Sequence, residues 1–288
     1  MRFGLLGTGP WADNAHAPAL AAHPDAEFTG VWGRRPEAAA ALAERHGTRA
    51  YEDVDALLAD VDAVAIALPP DVQAELAVRA AAAGRHLLLD KPLATTTDAA
   101  RKVADAAQAA GVASVVFFTL RFEAESAAWI DARAAQDGWF TARADWLGSV
   151  FAGAGDSPYA ASPWRREKGA LWDVGPHALS VLLPVLGDVT ELTAAPGPGD
   201  TVHLVLRHTG GASSTATLSL TAPPEAAGVA VELRGTAGVF GLPGRGAGPV
   251  VAFGNAIDAL TEAARTGRPH PCDAHFALRV TELLASAE

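Results

Sequence analysis

Gly7-Thr8-Gly9-Pro10-Trp11-Ala12 follows the apolar run Arg2–Leu6 and opens a helical pattern at Trp11–Ala22. This G-x-G-x-x-G/A spacing between a strand and a helix restricts the chain's fold more than any other feature. Gly7 permits a tight turn, Gly9 lets the backbone approach a pyrophosphate, and Ala12 lets the helix pack closely on the strand. The unpaired N–H groups of the first helical turn then face the anion. The segment predicts a dinucleotide site formed by Gly7, Thr8, Gly9, Pro10, Trp11 and Ala12. The competing reading is a tight βα turn that binds nothing.

The rest of the N-terminal part repeats the same alternation. Apolar runs at Glu27–Trp32, Ala63–Leu68, His86–Leu89 and Ala113–Phe118 are interleaved with helical patterns at Pro36–His46, Asp53–Leu58, Val72–Ala83 and Thr97–Ala110. Strands alternating with helices of this length form βαβ units and a parallel sheet. Beyond residue 120 the order changes. A helical stretch at Glu123–Gln136 precedes strand-like runs at Phe140–Trp146, Val189–Ala194, Val202–Arg207, Ser214–Leu220 and Val229–Arg234. A helix over Leu171–Leu186 interrupts the series, and helical patterns at Asn255–Arg265 and Asp273–Ala287 end it. The expected fold class is α/β: an N-terminal Rossmann domain over 1–119, and a C-terminal α/β domain over 120–288 with an open, mainly antiparallel sheet. Gly238–Gly248 reads as a surface loop.

An NAD site usually places an acidic residue at the end of the second strand, to bond the ribose hydroxyls. Here that strand runs into Gly33-Arg34-Arg35-Pro36. Arginine suits a 2′-phosphate, so Arg34 and Arg35 predict a preference for NADP over NAD.

Composition narrows the partners. A formal net charge of −11 without a basic block disfavours nucleic acid and anionic membranes. No uncharged apolar run of about 20 residues predicts a membrane span. No signal peptide is read at the N-terminus, and Cys272 is the lone cysteine, which points to the cytoplasm. The nine histidines form no H-E-x-x-H or comparable ligand set, so no metal is expected.

Leu68-Pro69-Pro70 and Leu89-Asp90-Lys91-Pro92 end the next two strands. Ligands of such sheets lie beyond the carboxyl ends of the strands, which sets both segments beside the cofactor. Together with the glycine turn, these segments resemble the glucose-fructose oxidoreductase / inositol dehydrogenase family. The similarity continues through Leu120-Arg121-Phe122, Trp164-Arg165 and Gly169-Ala170-Leu171-Trp172-Asp173-Val174-Gly175-Pro176-His177. The resemblance implies a cofactor site bordered by Leu68, Pro69, Asp90, Lys91, Pro92, Arg121, Trp164 and Arg165. It also implies a substrate pocket lined by Lys91, Asp173 and His177, in a cleft between the domains.

The reaction so implied is hydride transfer between a nicotinamide and a secondary alcohol or ketone of a sugar, polyol or similar polar substrate. His177 would act as acid/base, Lys91 would polarise the oxygen and Asp173 would orient. Relatives commonly form dimers or tetramers through the second sheet, so a homo-oligomer is expected. Two rival readings are a redox-neutral, sugar-cleaving enzyme that uses NAD transiently and a nucleotide-sensing binding protein. The chain departs from the family pattern at Asp90, where Glu is usual, at Ala170 for a glycine, at Ser180 for an aspartate and at Gln73 for a histidine.

Overall fold

The computed structural model describes residues 1–152, 157–244 and 246–288. By its contacts the chain forms two compact units: Met1–Glu123 with Ala247–Thr281, and Ala124–Gly246 with Glu282–Glu288.

In the first unit, β1 (Arg2–Leu6), β2 (Glu27–Trp32), β3 (Arg49–Tyr51), β4 (Ala63–Ile66), β5 (His86–Asp90) and β6 (Ser114–Phe117) form one sheet. The strand order is β3-β2-β1-β4-β5-β6 and every pairing is parallel. The order reverses between β1 and β4, which opens a crevice at their carboxyl ends. β1, β4 and β6 are almost entirely buried, consistent with their unbroken apolar runs. The connecting helices are α1 (Ala17–Ala22), α2 (Pro36–Arg45), α3 (Val54–Asp60), α4 (Pro70–Ala82) and α5 (Thr97–Ala110). Asp53 and Thr96 cap α3 and α5 by accepting from Ala56 N and Ala99 N. Strand β3 was not expected from the sequence. It has three residues, two of them exposed, and so carries no apolar run.

The helical pattern over Trp11–Ala22 divides into a π-helical turn, Ala12–His16, followed by α1. That turn carries His16, which is fully buried. Its ring stacks on Phe253 at 4.0 Å and meets Phe117 and Trp11 edge-on. Burial lowers its pKa to about 3. An unfolded chain protonates histidine near pH 6.5, so between these values unfolding takes up a proton and stability falls as the pH falls. The limiting slope is about 1.4 kcal/mol per pH unit. Between about pH 6 and pH 4 the native protein should lose about 2.5 kcal/mol more than His16→Leu in urea unfolding. Equal losses would contradict the desolvated environment assigned to His16.

The second unit begins with α6 (Ala124–Ala134) and β7 (Trp139–Leu147), then α7 (Pro163–Asp173) and α8 (Gly175–Leu186). Strands β8 (Val189–Pro196), β9 (Val202–His208), β10 (Ser213–Ser219), β11 (Gly228–Gly235) and β12 (Gly238–Gly241) follow. They join β7 in a sheet of order β12-β11-β7-β10-β9-β8. The sheet is mixed: β7 and β10 are parallel at its centre, and the other pairings are antiparallel. The expected antiparallel character therefore holds only outside that central pair. After β7 the chain runs through α7 and α8 to β8 at the far edge of the sheet, and returns through β9 to β10, which lies parallel beside β7; a parallel neighbour requires such a long connection. Alternation along β9 exposes His203 and buries His208.

Two further expectations are corrected. Gly238–Gly241, expected to be loop, forms edge strand β12, paired antiparallel to β11 through its backbone; Arg245, in the same stretch, lies outside the described residues. The single helix expected over Leu171–Leu186 is interrupted. α7 is kinked at Gly169, whose φ of 62° favours glycine, and it ends before Val174. Pro163–Leu186 is long and apolar enough to cross a bilayer, but 89% of its apolar window is buried within the protein. That count reflects core packing: nearly every residue of α8 is buried.

The last two helices are α9 (Pro249–Thr266) and α10 (Ala274–Ser286). α9 belongs to the first unit, where it packs on α1, β5 and β6 and supplies Phe253 to the cluster around His16.

Candidate functional site

In the first unit the parallel sheet gathers many sequence-predicted residues at its carboxyl edge. Gly7 follows β1 with φ 130°, and its N–H donates to Trp32 O at 2.9 Å. A Cβ at Gly7 would overlap the Ala67 carbonyl, so glycine is required by the fold itself. Gly9 is different: a Cβ there would meet no protein atom within 4 Å. The protein's own packing therefore does not require glycine at this position, and the open space suits a ligand approaching the backbone. Ala12 is fully buried, while Thr8, Gly9 and Trp11 are partly exposed. The turn thus fits a dinucleotide pyrophosphate, with Pro10 exposed at the helix start.

Arg34 and Arg35 follow β2, and both are exposed. Leu68 and Pro69 follow β4, Asp90-Lys91-Pro92 closes β5, and Arg121 ends a short 3₁₀ turn (Thr119–Arg121) after β6. The Asp90 carboxylate accepts from Lys91 N at 2.8 Å, and its other oxygen lies 3.7 Å from His16 Nε2. The Lys91–Pro92 peptide is cis. Sequence reasoning noted Gln73 only as a departure, yet its buried side chain bonds the backbone of this loop at four points.

A cavity of about 380 Å³ opens at the opposite, amino-terminal edge of this sheet, beside His86 and Ser114. None of the candidate residues lines it.

The second unit holds Asp173, His177, Trp164 and Arg165. Asp173 ends α7 and His177 lies in the first turn of α8; both are buried. Arg165 Nε donates to Asp173 Oδ2 at 3.1 Å. The Arg165 guanidinium also lies over Trp164, 4.6 Å from its ring centroid, and 5.2 Å from that of Tyr159. A partly buried, stacked guanidinium is a rigid donor, so it fixes the carboxylate it faces. The His177 ring stacks on Trp146 of β7, with centroids 4.6 Å apart and planes 10° apart. Trp146, 31 positions before His177, was not singled out in the sequence; Arg165, eight before Asp173, was expected at the cofactor border, and its bond to the Asp173 carboxylate was not. Ser180, where relatives carry an aspartate, is buried and donates to His177 O at 2.7 Å. Among the described residues no group of three or more His, Cys, Asp or Glu side chains is placed to hold a metal.

Comparison with known proteins gives two family matches. Residues 1–118 match an oxidoreductase family with an NAD-binding Rossmann fold, and residues 142–241 match the GFO/IDH/MocA C-terminal domain. A dTDP-3,4-didehydro-2,6-dideoxy-alpha-D-glucose 3-reductase from Streptomyces violaceoruber is 35% identical over 212 residues, covering 70% of this chain and 59% of the relative. Inositol 2-dehydrogenase from Rhizobium meliloti is 34% identical over 125 residues, 43% of this chain and 37% of that protein. The chain thus aligns with roughly a third to three-fifths of these relatives' lengths. Among solved structures, levoglucosan dehydrogenase in complex with NADH and levoglucosan superposes with a TM-score of 0.84 at 20% identity, covering 99% of this chain and 95% of that one. At that identity the likeness establishes the fold.

Proposed function

Because this chain belongs to the Gfo/Idh/MocA oxidoreductase family, we propose that it transfers a hydride between a bound nicotinamide and a secondary alcohol or ketone of a sugar, polyol or similar polar substrate. One observation carries the reading: the glycine turn and Lys91 stand at the same carboxyl edge of one parallel sheet, the edge where such sheets bind their ligands. Relatives named for reduction or oxidation of sugars and inositol support the substrate class.

When bound, the nicotinamide supplies the hydride donor or acceptor. The chain's own residues perform the remaining tasks. Backbone N–H groups at the start of the first helix hold the pyrophosphate. His177 removes the hydroxyl proton in the oxidative direction and returns it in the reductive one; histidine titrates near neutrality and suits both. Stacking on Trp146 holds the imidazole plane. The Lys91 ammonium donates to the substrate oxygen and stabilises the charge that develops there. Asp173, fixed by Arg165, orients the substrate hydroxyls. Trp164 and Arg165, which the family resemblance assigns to the cofactor border, thereby also serve the Asp173 carboxylate.

The cofactor preference we propose is NADP. Arg34 and Arg35 are exposed at the end of β2, and no acidic side chain follows that strand before Glu37. A hydrogen bond to a charged group contributes about 1.5–3 kcal/mol, so Arg34→Ala should weaken NADPH binding about ten- to a hundredfold and leave NADH nearly unchanged. Calorimetric titration with both cofactors checks this; tighter binding of NADH by the native protein would overturn the preference.

The same reading includes a homo-oligomer. Its support is apolar exposure on the second sheet: Phe140 is 77%, Val239 56% and Val205 52% exposed. Sedimentation velocity should give a dimer or tetramer, and a monomer at micromolar concentration would contradict this part.

A further inference from the structure

We propose that Gln73 is a positioning residue for Lys91: its buried amide holds the backbone on both sides of the lysine and sets the point from which the ammonium projects. The inference rests on the reading of Lys91 as a group of the reaction.

Gln73 lies in the first turn of α4, 1% exposed. Its Oε1 accepts from Asp90 N at 2.8 Å, and its Nε2 donates to Asp90 O at 2.8 Å. The same Nε2 reaches Pro92 O at 3.2 Å and Leu93 O at 3.3 Å. A primary amide has one acceptor oxygen and two N–H donors, so every polar atom of this side chain is committed to the loop. The pairing of β5 with β4 ends at Leu89 and Ile66, one residue before Asp90. Gln73 takes over where β4 stops: its amide presents a donor and an acceptor to Asp90, as a neighbouring strand would. The carbonyls of Asp90 and Pro92, the residues flanking Lys91, are both among its partners.

The same helical turn holds the far end of the loop, because the Thr95 hydroxyl donates to the Asp71 carboxylate. The Asp90 carboxylate bonds back to Lys91 N. Buried polar side chains satisfied wholly by backbone act as fixed braces, since releasing any one contact leaves a desolvated group unpaired. All four bonds of the Gln73 amide go to backbone atoms, so Gln73 acts through the backbone.

Gln73→Glu tests the proposal. It keeps the shape and the acceptor but removes both N–H donors. A buried carboxyl facing three carbonyl oxygens is favoured in its protonated form, which restores one donor. The expected kcat is at least tenfold below native on the alkaline side and recovers toward acid, with the cofactor KM changed less than threefold. Gln73→Met, which cannot regain a donor, should show the loss without the recovery.

A second readout does not need turnover. The chain has three lysines, Lys91, Lys102 and Lys168, so reductive ¹³C-methylation yields three assignable side-chain signals. In either variant the Lys91 signal should shift while those of Lys102 and Lys168 stay in place. An unmoved Lys91 signal in a folded variant, or a native pH profile in Gln73→Glu, overturns the proposal. If the native protein turns over no sugar or ketone, the role of Lys91 in the reaction fails, and the lysine signal alone decides whether Gln73 positions it.

Discussion

Replacing His177 by Gln should lower kcat about 10²- to 10⁴-fold, the range expected when a positioned acid/base is removed. The KM for the cofactor should change little, because the role proposed for His177 is proton transfer to the substrate oxygen and not cofactor binding. Glutamine retains bulk beside Trp146, so the loss reflects proton transfer more than packing. Lys91→Ala should cost a comparable factor by removing the donor to the substrate oxygen. The two losses are not expected to add, since both residues serve one transition state. Steady-state kinetics on both single variants and the double variant checks this. Native turnover in either single variant would remove that residue from the mechanism.

The second large effect concerns the glycine turn. Gly9→Asp should weaken either dinucleotide at least about a hundredfold, or roughly 2.7 kcal/mol, by placing a carboxylate where the pyrophosphate approaches. Its thermal midpoint should stay close to native, because a side chain at Gly9 meets no protein atom within 4 Å. Gly7→Ala should do the reverse in kind. A Cβ there collides with the Ala67 carbonyl, and φ 130° is unfavourable for any L side chain, so the fold is destabilised before binding is measured. Scanning calorimetry with and without cofactor separates the two. A Gly9→Asp protein that binds NADPH normally would remove the turn from the cofactor site.

Most of the parallel sheet could be read from the sequence because each buried strand is a continuous apolar run closed by glycine, proline or a capping residue. β1 and β2 are found with the expected bounds. Elements lacking such runs could not be read. Arg49–Tyr51 and Gly238–Gly241 form edge strands through backbone pairing, to which a three- or four-residue polar or glycine-rich segment gives no pattern. The mixed character of the second sheet was hidden for a related reason. Strand runs do not state which neighbours they pair with, and β7 and β10 are parallel because the chain between them passes through α7, α8, β8 and β9.

The candidate site was legible as motifs but not as contacts. Gly7, Gly9, Lys91, Asp173 and His177 stand out by spacing. The contacts that fix them do not: Trp146 meets His177 and Gln73 braces the backbone at Lys91 through tertiary structure, and Arg165 reaches Asp173 within α7 across the kink at Gly169. A glutamine in a helix looks like an ordinary solvated residue until the strand end it braces is in view. His16 is a similar case, an isolated polar residue in the sequence that the fold encloses among Trp11, Phe117 and Phe253.

The central claim is tested most directly by a cofactor-coupled screen of sugars, polyols, their keto forms and non-sugar ketones, followed at the absorbance of reduced nicotinamide. At least one sugar or polyol pair should turn over with one reduced nicotinamide formed or consumed per product. Product formation with no net change in the cofactor would contradict a hydride-transferring oxidoreductase and favour a redox-neutral reaction, and cofactor binding without any turnover would favour a nucleotide sensor.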